Sequence, residues 1–194
     1  MTLVIVNTEC ANLSSVQFAC ERLGYQPTIT ADAALIRAAD KVILPGVGTA
    51  KAAMRNLHRL ELVETLQQLT QPLLGICLGM QLLTRHSSEG EVDCLGVIPT
   101  ATERLVAPGL ALPHMGWNPI RVERESPLLA GVDGLHCYFV HSFAVPVDEY
   151  TLASCDYGSP FAAVIQHRNF YGAQFHPERS GAVGSRILQN FLDL

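Results

Sequence analysis

The apolar positions change period several times along the chain, and each change predicts an element. LVIVN (Leu3–Asn7) is a continuous apolar run of the kind that forms a strand buried on both faces. Leu13, Val16, Cys20 and Leu23 then recur at helical spacing, and Gly24 is placed to stop that helix. KVILPG (Lys41–Gly46) and PLLGI (Pro72–Ile76) predict two more buried strands, with a helix over roughly Ala50–Leu69 between them. Strand and helix in alternation predict a parallel sheet covered on both faces.

Beyond about Leu95 the runs shorten and Pro and Gly punctuate them. LGVI, ERLVA, NPIRVE, HCYFVHSF, FAAVIQH and FYGAQF read as strands of an antiparallel or mixed extension of the same sheet. A last helix is expected from near Ser180, with Val183, Ile187 and Phe191 as its buried stripe. No linker, charge block, repeat or low-complexity segment interrupts the pattern. The expectation is one domain over residues 1–194, of the α/β class, with a three-layer, doubly wound mixed sheet.

Composition narrows the classes. Of 194 residues, 48% are hydrophobic and 16% charged, enough for a large core and too apolar for disorder. The net charge of −5, with no Lys/Arg run, argues against nucleic acid. TLVIVN near the start has no basic flank or cleavage site, and no apolar stretch approaches the roughly 18 residues of a membrane span. A soluble cytoplasmic protein is expected. Cys10, Cys20, Cys77, Cys94, Cys137 and Cys155 form no C-x-x-C pair, and no Cys/His cluster or H-x-x-x-H is present, so no metal is expected. Most of these thiols are expected to pack.

Chemistry is sought where parallel strands end, because ligands of open α/β sheets sit beyond the carboxyl ends of the strands. Three segments qualify. The strand PLLGI runs into Cys77 within Gly75-Ile76-Cys77-Leu78-Gly79, the cysteine form of the G-x-S-x-G nucleophile elbow. Glycines two residues either side clear a sharp strand-to-helix turn, and a helix start favours thiolate. An apolar strand whose cysteine merely packs fits equally well. FHPERS (Phe175–Ser180) places His176 at a strand end with Glu178 two residues on: a base and its orienting acid, or simply an acid at a helix start. LPGVGTA (Leu44–Ala50) lacks the spacing of a phosphate loop. It reads as a Gly-rich turn, or as a loop whose Val47 or Gly48 N–H joins that of Leu78 in an oxyanion hole.

Taken together, GICLGMQ and a distant FHPE resemble the class I (triad) glutamine amidotransferases along essentially the whole chain. The resemblance implies a cysteine that attacks the glutamine side-chain amide, forms a glutamyl thioester and releases ammonia, with no cofactor. NTECANLSSV, LPGVGTA and PHMGWN (Pro113–Asn118) are similar to one branch of that family, the glutaminase subunits of imidazole glycerol phosphate synthase in histidine biosynthesis. Asn12 and Ser14 equally read as helix caps, and Trp117 as core.

Carried over by residue, the resemblance matches Cys77, His176 and Glu178 to the triad and Gly46, Val47, Gly48 and Leu78 to the oxyanion segments. Gln81 and Glu89 match positions that help hold glutamine. His141, Ser142 and Phe143 match the segment along its backbone groups, with Phe143 where the family usually has Tyr. The remaining histidines, His58, His86, His114, His136 and His167, read as surface or packed, His114 standing apart because of its motif. The resemblance further implies a heterodimer with a (β/α)8-barrel cyclase subunit that consumes the ammonia. It also implies a glutaminase weak until that partner binds, for which Gly46 and Gly48 would permit a peptide flip in the oxyanion loop.

Overall fold

The computed structural model describes residues 1–9 and 11–194; Cys10, one of the thiols expected to pack, lies outside the described residues. The first half alternates as expected: β1 (Leu3–Val6), α1 (Leu13–Arg22), β2 (Thr28–Thr30), α2 (Ala33–Ala38), β3 (Lys41–Gly46), α3 (Ala50–Arg59), α4 (Val63–Gln67), β4 (Leu73–Cys77) and α5 (Leu78–Leu82). The second half begins with β5 (His86–Ser87), β6 (Val92–Asp93), β7 (Ala101–Arg104), β8 (His114–Pro119) and β9 (Arg121–Val122). It continues with β10 (His136–His141), β11 (Phe143–Ala144), β12 (Thr151–Asp156), β13 (Pro160–His167), β14 (Phe170–Ala173) and α6 (Gly181–Asp193). No helix among the described residues is long and apolar enough to cross a membrane.

The main sheet has eight strands in the order β2-β1-β3-β4-β14-β13-β12-β9. Strands β2 to β14 in that order are parallel; β13, β12 and β9 are each added antiparallel. Side-chain alternation divides the core into two. Leu3 and Ile5 of β1, with Ile43, Leu74 and Ile76, pack against Val16 and Cys20 of α1 and Ile187, Leu188 and Phe191 of α6. Val4, Val6, Val42, Leu44 and Leu73 face the other way, onto Ile36, Met54, Leu57, Leu66 and Leu82. The period of two along each strand therefore builds three layers from one sheet.

Two expectations are corrected. The helix over Ala50–Leu69 is two helices. Glu61 takes a positive φ of 56°, Leu62 N–H donates to Leu57 C=O at 2.9 Å, and Glu61 N–H donates to His58 C=O at 3.1 Å. This is a Schellman end built without glycine. The strand-rich half also does more than extend the sheet. β8 and β10 form a separate two-stranded ribbon, and β11, β7, β5 and β6 a small four-stranded sheet. LGVI is not a strand, because its N–H groups serve a helix end. Leu95, Ile98 and Gly96 donate to the carbonyls of Leu82, Leu83 and Thr84, where α5 has run out of partners.

Topology then positions the chemistry. β3, β4 and β14 are parallel neighbours, with Gly46 beside Cys77 and Ala173 beside Ile76. Their carboxyl ends therefore lie on one edge, and the chain leaves β14 directly into Gln174–Phe175–His176. Gly79 locks this edge: a Cβ built there would lie 1.8 Å from the Leu44 carbonyl oxygen of β3. Gly79→Ala is expected to cost more than about 3 kcal/mol, because backbone rather than a flexible side chain must yield. Gly24→Ala, at a helix end with φ +88° and open space around it, should cost only about 1 kcal/mol. Urea midpoints of the two variants check the contrast, and equal losses would contradict it.

Candidate active site

Cys77 has φ 53° and ψ −111°, a strained conformation for a residue with a Cβ. The G-x-C-x-G spacing allows it. A Cβ on Gly75 would stand 2.6 Å from the Gly79 carbonyl oxygen, so the two glycines let α5 fold back onto the strand it has just left. The helix that follows runs only Leu78–Leu82. A helix this short carries only a small dipole. Cys77 Sγ lies 3.7 Å from the Val140 carbonyl and 3.9 Å from Gln174 Nε2.

His176 lies on the wall of the same cavity and interacts with the thiol. Its Nδ1 is 2.8 Å from Glu178 Oε1, which leaves Nε2 for the sulfur. The alternative reading, Glu178 as an acid at a helix start, does not describe this contact. Pro177–Arg179 form a 3-10 turn, α6 begins only at Gly181, and the carboxylate turns back to the imidazole. The Glu178 side chain is buried, and its Oε2 has no hydrogen-bond partner among the described residues. Burial opposes the imidazolium, yet hydrogen bonds and charge from Cys77 and Glu178 outweigh it and raise the His176 pKa. The proton is thus drawn to the ring.

Ser180 ties this turn to the rest of the site. Its Oγ donates to the His176 carbonyl at 2.7 Å and accepts from Tyr138 N–H at 2.9 Å, while His176 N–H donates to the Tyr138 carbonyl at 2.9 Å. The β8–β10 ribbon is fastened by these bonds, and its end supplies a wall.

A cavity of about 240 Å³ opens beside the sulfur, lined among others by Val47, Gly48, Cys77, Leu78, Gln81 and His176. Glu89, His141, Ser142 and Phe143 also line it, so nearly every residue singled out from sequence converges there. Gly46 lies beneath, paired with Cys77 across the strands, and Glu178 lies behind His176. The volume suits a small metabolite rather than a polymer or a large cofactor. A wider depression of about 780 Å³ runs between Val122 and Asp133, but it holds neither thiol nor imidazole.

The polar side chains around the cavity are fixed by one another. Glu89 Oε2 accepts from the Ala50 N–H that opens α3, at 3.0 Å. The Phe143 carbonyl accepts from both His141 Nδ1–H and Gln81 Nε2–H, at 2.9 Å each, so the residue acts through its main chain. Burial pushes the His141 pKa down to about 3, and the ring is neutral. Its Nε2 sits 3.0 Å from Nδ1 of the fully buried His114, which stacks on Tyr157 at 4.0 Å.

Pro113 and Val140 also line the cavity, with Gln174 against Cys77 and His114 against His141; PHMGWN marks Pro113 and His114 in the sequence, whereas Gln174 and Val140 are not singled out there. Gln174 is only a single polar position between the apolar β14 and Phe175, which by itself signals nothing. Two plain expectations fail. Trp117 is 54% exposed, not core, because β8 turns it outward; and Asn12 precedes α1 without a side-chain capping bond.

The family model for class I glutamine amidotransferases matches residues 6–194. The chain is 65% identical over 194 residues to the imidazole glycerol phosphate synthase subunit HisH of Idiomarina loihiensis, covering 100% of this chain and 98% of that protein. The subunit of the same name from Vibrio cholerae is 53% identical over 199 residues, covering 99% and 98%. Among solved structures, a glutamine amidotransferase superposes with a TM-score of 0.77 at 18% identity, covering 98% of this chain and 97% of that one. PurLQS from Thermotoga maritima superposes at 0.75 with 19% identity, covering 99% and 97%. Likeness at that identity speaks for the fold, and the sequence matches speak for the family: this chain belongs to the class I glutamine amidotransferases.

Proposed function

We propose that the chain is the glutaminase subunit of an imidazole glycerol phosphate synthase. The observation that carries the chemistry is Cys77 on its strained elbow, facing an imidazole held 2.8 Å from Glu178, at the wall of a cavity of about 240 Å³. The Cys77 thiolate attacks the side-chain carboxamide carbon of glutamine. The oxyanion that forms is held by the Leu78 N–H, with a second donor from Val47 or Gly48. His176 gives its proton to the leaving nitrogen, ammonia departs, and a glutamyl thioester remains. His176 then takes a proton from water, which attacks the thioester and returns the thiolate with glutamate. Glu178 holds the ring tautomer and stabilises its cation.

The far end of the substrate is an α-amino acid. Gln81 and the remaining oxygen of Glu89 meet its ammonium, and the His141–Phe143 segment lies along its backbone groups. The name shared by the sequence relatives, a synthase subunit, supports a partner. We take that partner to be a (β/α)8-barrel cyclase in a heterodimer, using the ammonia to form imidazole glycerol phosphate and aminoimidazole carboxamide ribotide. Gly48 has φ +92° and open space around it, and Val47 is 43% exposed, so the loop has room to turn a peptide. A partner that favours one of two loop states would switch the oxyanion hole on.

Three outcomes are expected. Cys77→Ala should abolish glutamine-driven synthesis by the complex while its ammonia-driven synthesis persists; loss of both would sink this division of labour. Glu178→Gln removes a charge and a hydrogen bond that raise the His176 pKa. Glutamine-driven kcat should fall about 10²–10⁴-fold, and the alkaline limb of its pH profile should move to lower pH, because the imidazolium loses its proton sooner. An unmoved limb would contradict the assigned role. Finally, the isolated subunit should hydrolyse glutamine at least about tenfold more slowly than the complex, as expected for a loop biased by a partner. Equal rates would rule out the loop switch.

A further inference from the structure

Gln174 is a buried polar residue that the mechanism above leaves unused. It follows β14 directly, two residues before His176, and it is fully buried. Its Oε1 accepts from Gln81 Nε2 at 3.0 Å, and its Nε2 faces Cys77 Sγ at 3.9 Å. The second hydrogen of the Gln81 amide goes to the Phe143 carbonyl at 2.9 Å.

The direction of this chain is dictated by the backbone. A carbonyl only accepts, so Phe143 draws the nitrogen of Gln81 towards itself. The other N–H of that nitrogen then calls for an acceptor, so Gln174 must offer its oxygen. The nitrogen of Gln174 is thereby left towards the sulfur. Reversing Gln81 would set oxygen against oxygen, and reversing Gln174 would set N–H against N–H, inside a buried site, with the cost of unmade hydrogen bonds. With both its hydrogens used within the protein, Gln81 turns its Oε1 towards the cavity it lines.

We infer that Gln174 is a positioning residue with two outputs. Through Gln81 it presents an acceptor to the α-ammonium of a bound amino acid, and through its own N–H it favours the thiolate form of Cys77. One buried amide thus joins the recognition end of the cavity to the reacting end. The inference rests on the glutaminase reading of the site.

The test uses the complex with the synthase partner. Gln174→Met keeps the side-chain length and removes donor and acceptor together. KM for glutamine should rise about tenfold, the loss expected when a buried hydrogen bond to a charged group is weakened. The pH at which iodoacetamide modifies Cys77 at half its maximal rate should rise by about one unit. In the double variant with Gln81→Met, KM should be no higher than for Gln81→Met alone, because Gln174 reaches the ammonium only through Gln81.

Multiplicative KM effects would overturn the recognition arm. An unmoved alkylation midpoint in a variant that unfolds at the native temperature would overturn the sulfur arm. A purely structural role lowers the unfolding temperature and leaves that midpoint in place, which also overturns it. Should Gln174→Met not fold, the native protein carries the test: the Gln174 side-chain amide resonance should shift as Cys77 titrates, and a silent resonance overturns the proposal. If the native complex does not use glutamine, the glutaminase reading fails, while alkylation still reports on the sulfur arm.

Discussion

The backbone of α5 rests directly on the carbonyl of Leu44, and the rest of the site depends on that contact. It holds Cys77 at a positive φ, and a conformation of that kind costs about 1–3 kcal/mol. The surrounding burial is much larger. Leu78, Met80, Leu82 and Leu83 are all buried within or beside the short helix, and each contributes about 1.5–3 kcal/mol. Packing therefore overrides the local preference of the cysteine, and the strain persists where the sulfur must be presented. Substituents on Gly75 or Gly79 would relieve nothing; they would push the helix off the sheet that imposes the geometry.

From that contact the remaining parts follow by strand order. Parallel neighbours bring their carboxyl ends to one edge, so the Gly46–Gly48 loop after β3, the thiol after β4 and the imidazole after β14 meet without long excursions. The fourth part, the wall from Val140 to Phe143, starts in the ribbon outside the main sheet and ends in β11 of the small four-stranded sheet. Hydrogen bonds between Tyr138, His176 and Ser180 carry it to the edge. A site assembled from three sheets in this way needs both the sheet register and those few hydrogen bonds.

Local spacing was readable in the sequence; distant pairing was not. β1, β3 and β4 stand out because strands buried on both faces must be apolar throughout, and the elbow stands out because its steric need falls within five residues. The break at Glu61 is silent because the left-handed position at that helix end is filled by a glutamate where glycine is the usual signal. LGVI misleads because its apolar side chains are buried as in a strand while its N–H groups serve α5. Gln174 is silent for a different reason. Its partners Gln81 and Cys77 lie 93 and 97 positions away, and a single polar residue beside an apolar run carries no period.

Charge is divided between two histidines of one site. His176 is driven towards its cation by Cys77 and Glu178 despite burial, whereas His141 is held neutral by burial, with no carboxylate among the causes of its shift. A cationic His141 would repel the imidazolium of His176 and so weaken its hold on the proton, as the mutual charge effect on His141 already indicates. A neutral His141 still has one N–H, and the Phe143 carbonyl takes it, leaving Nε2 to face His114. Desolvation above all thus leaves one imidazole a neutral strut, while a carboxylate and a thiol favour a proton on the other, and the two are not interchangeable although they line the same cavity.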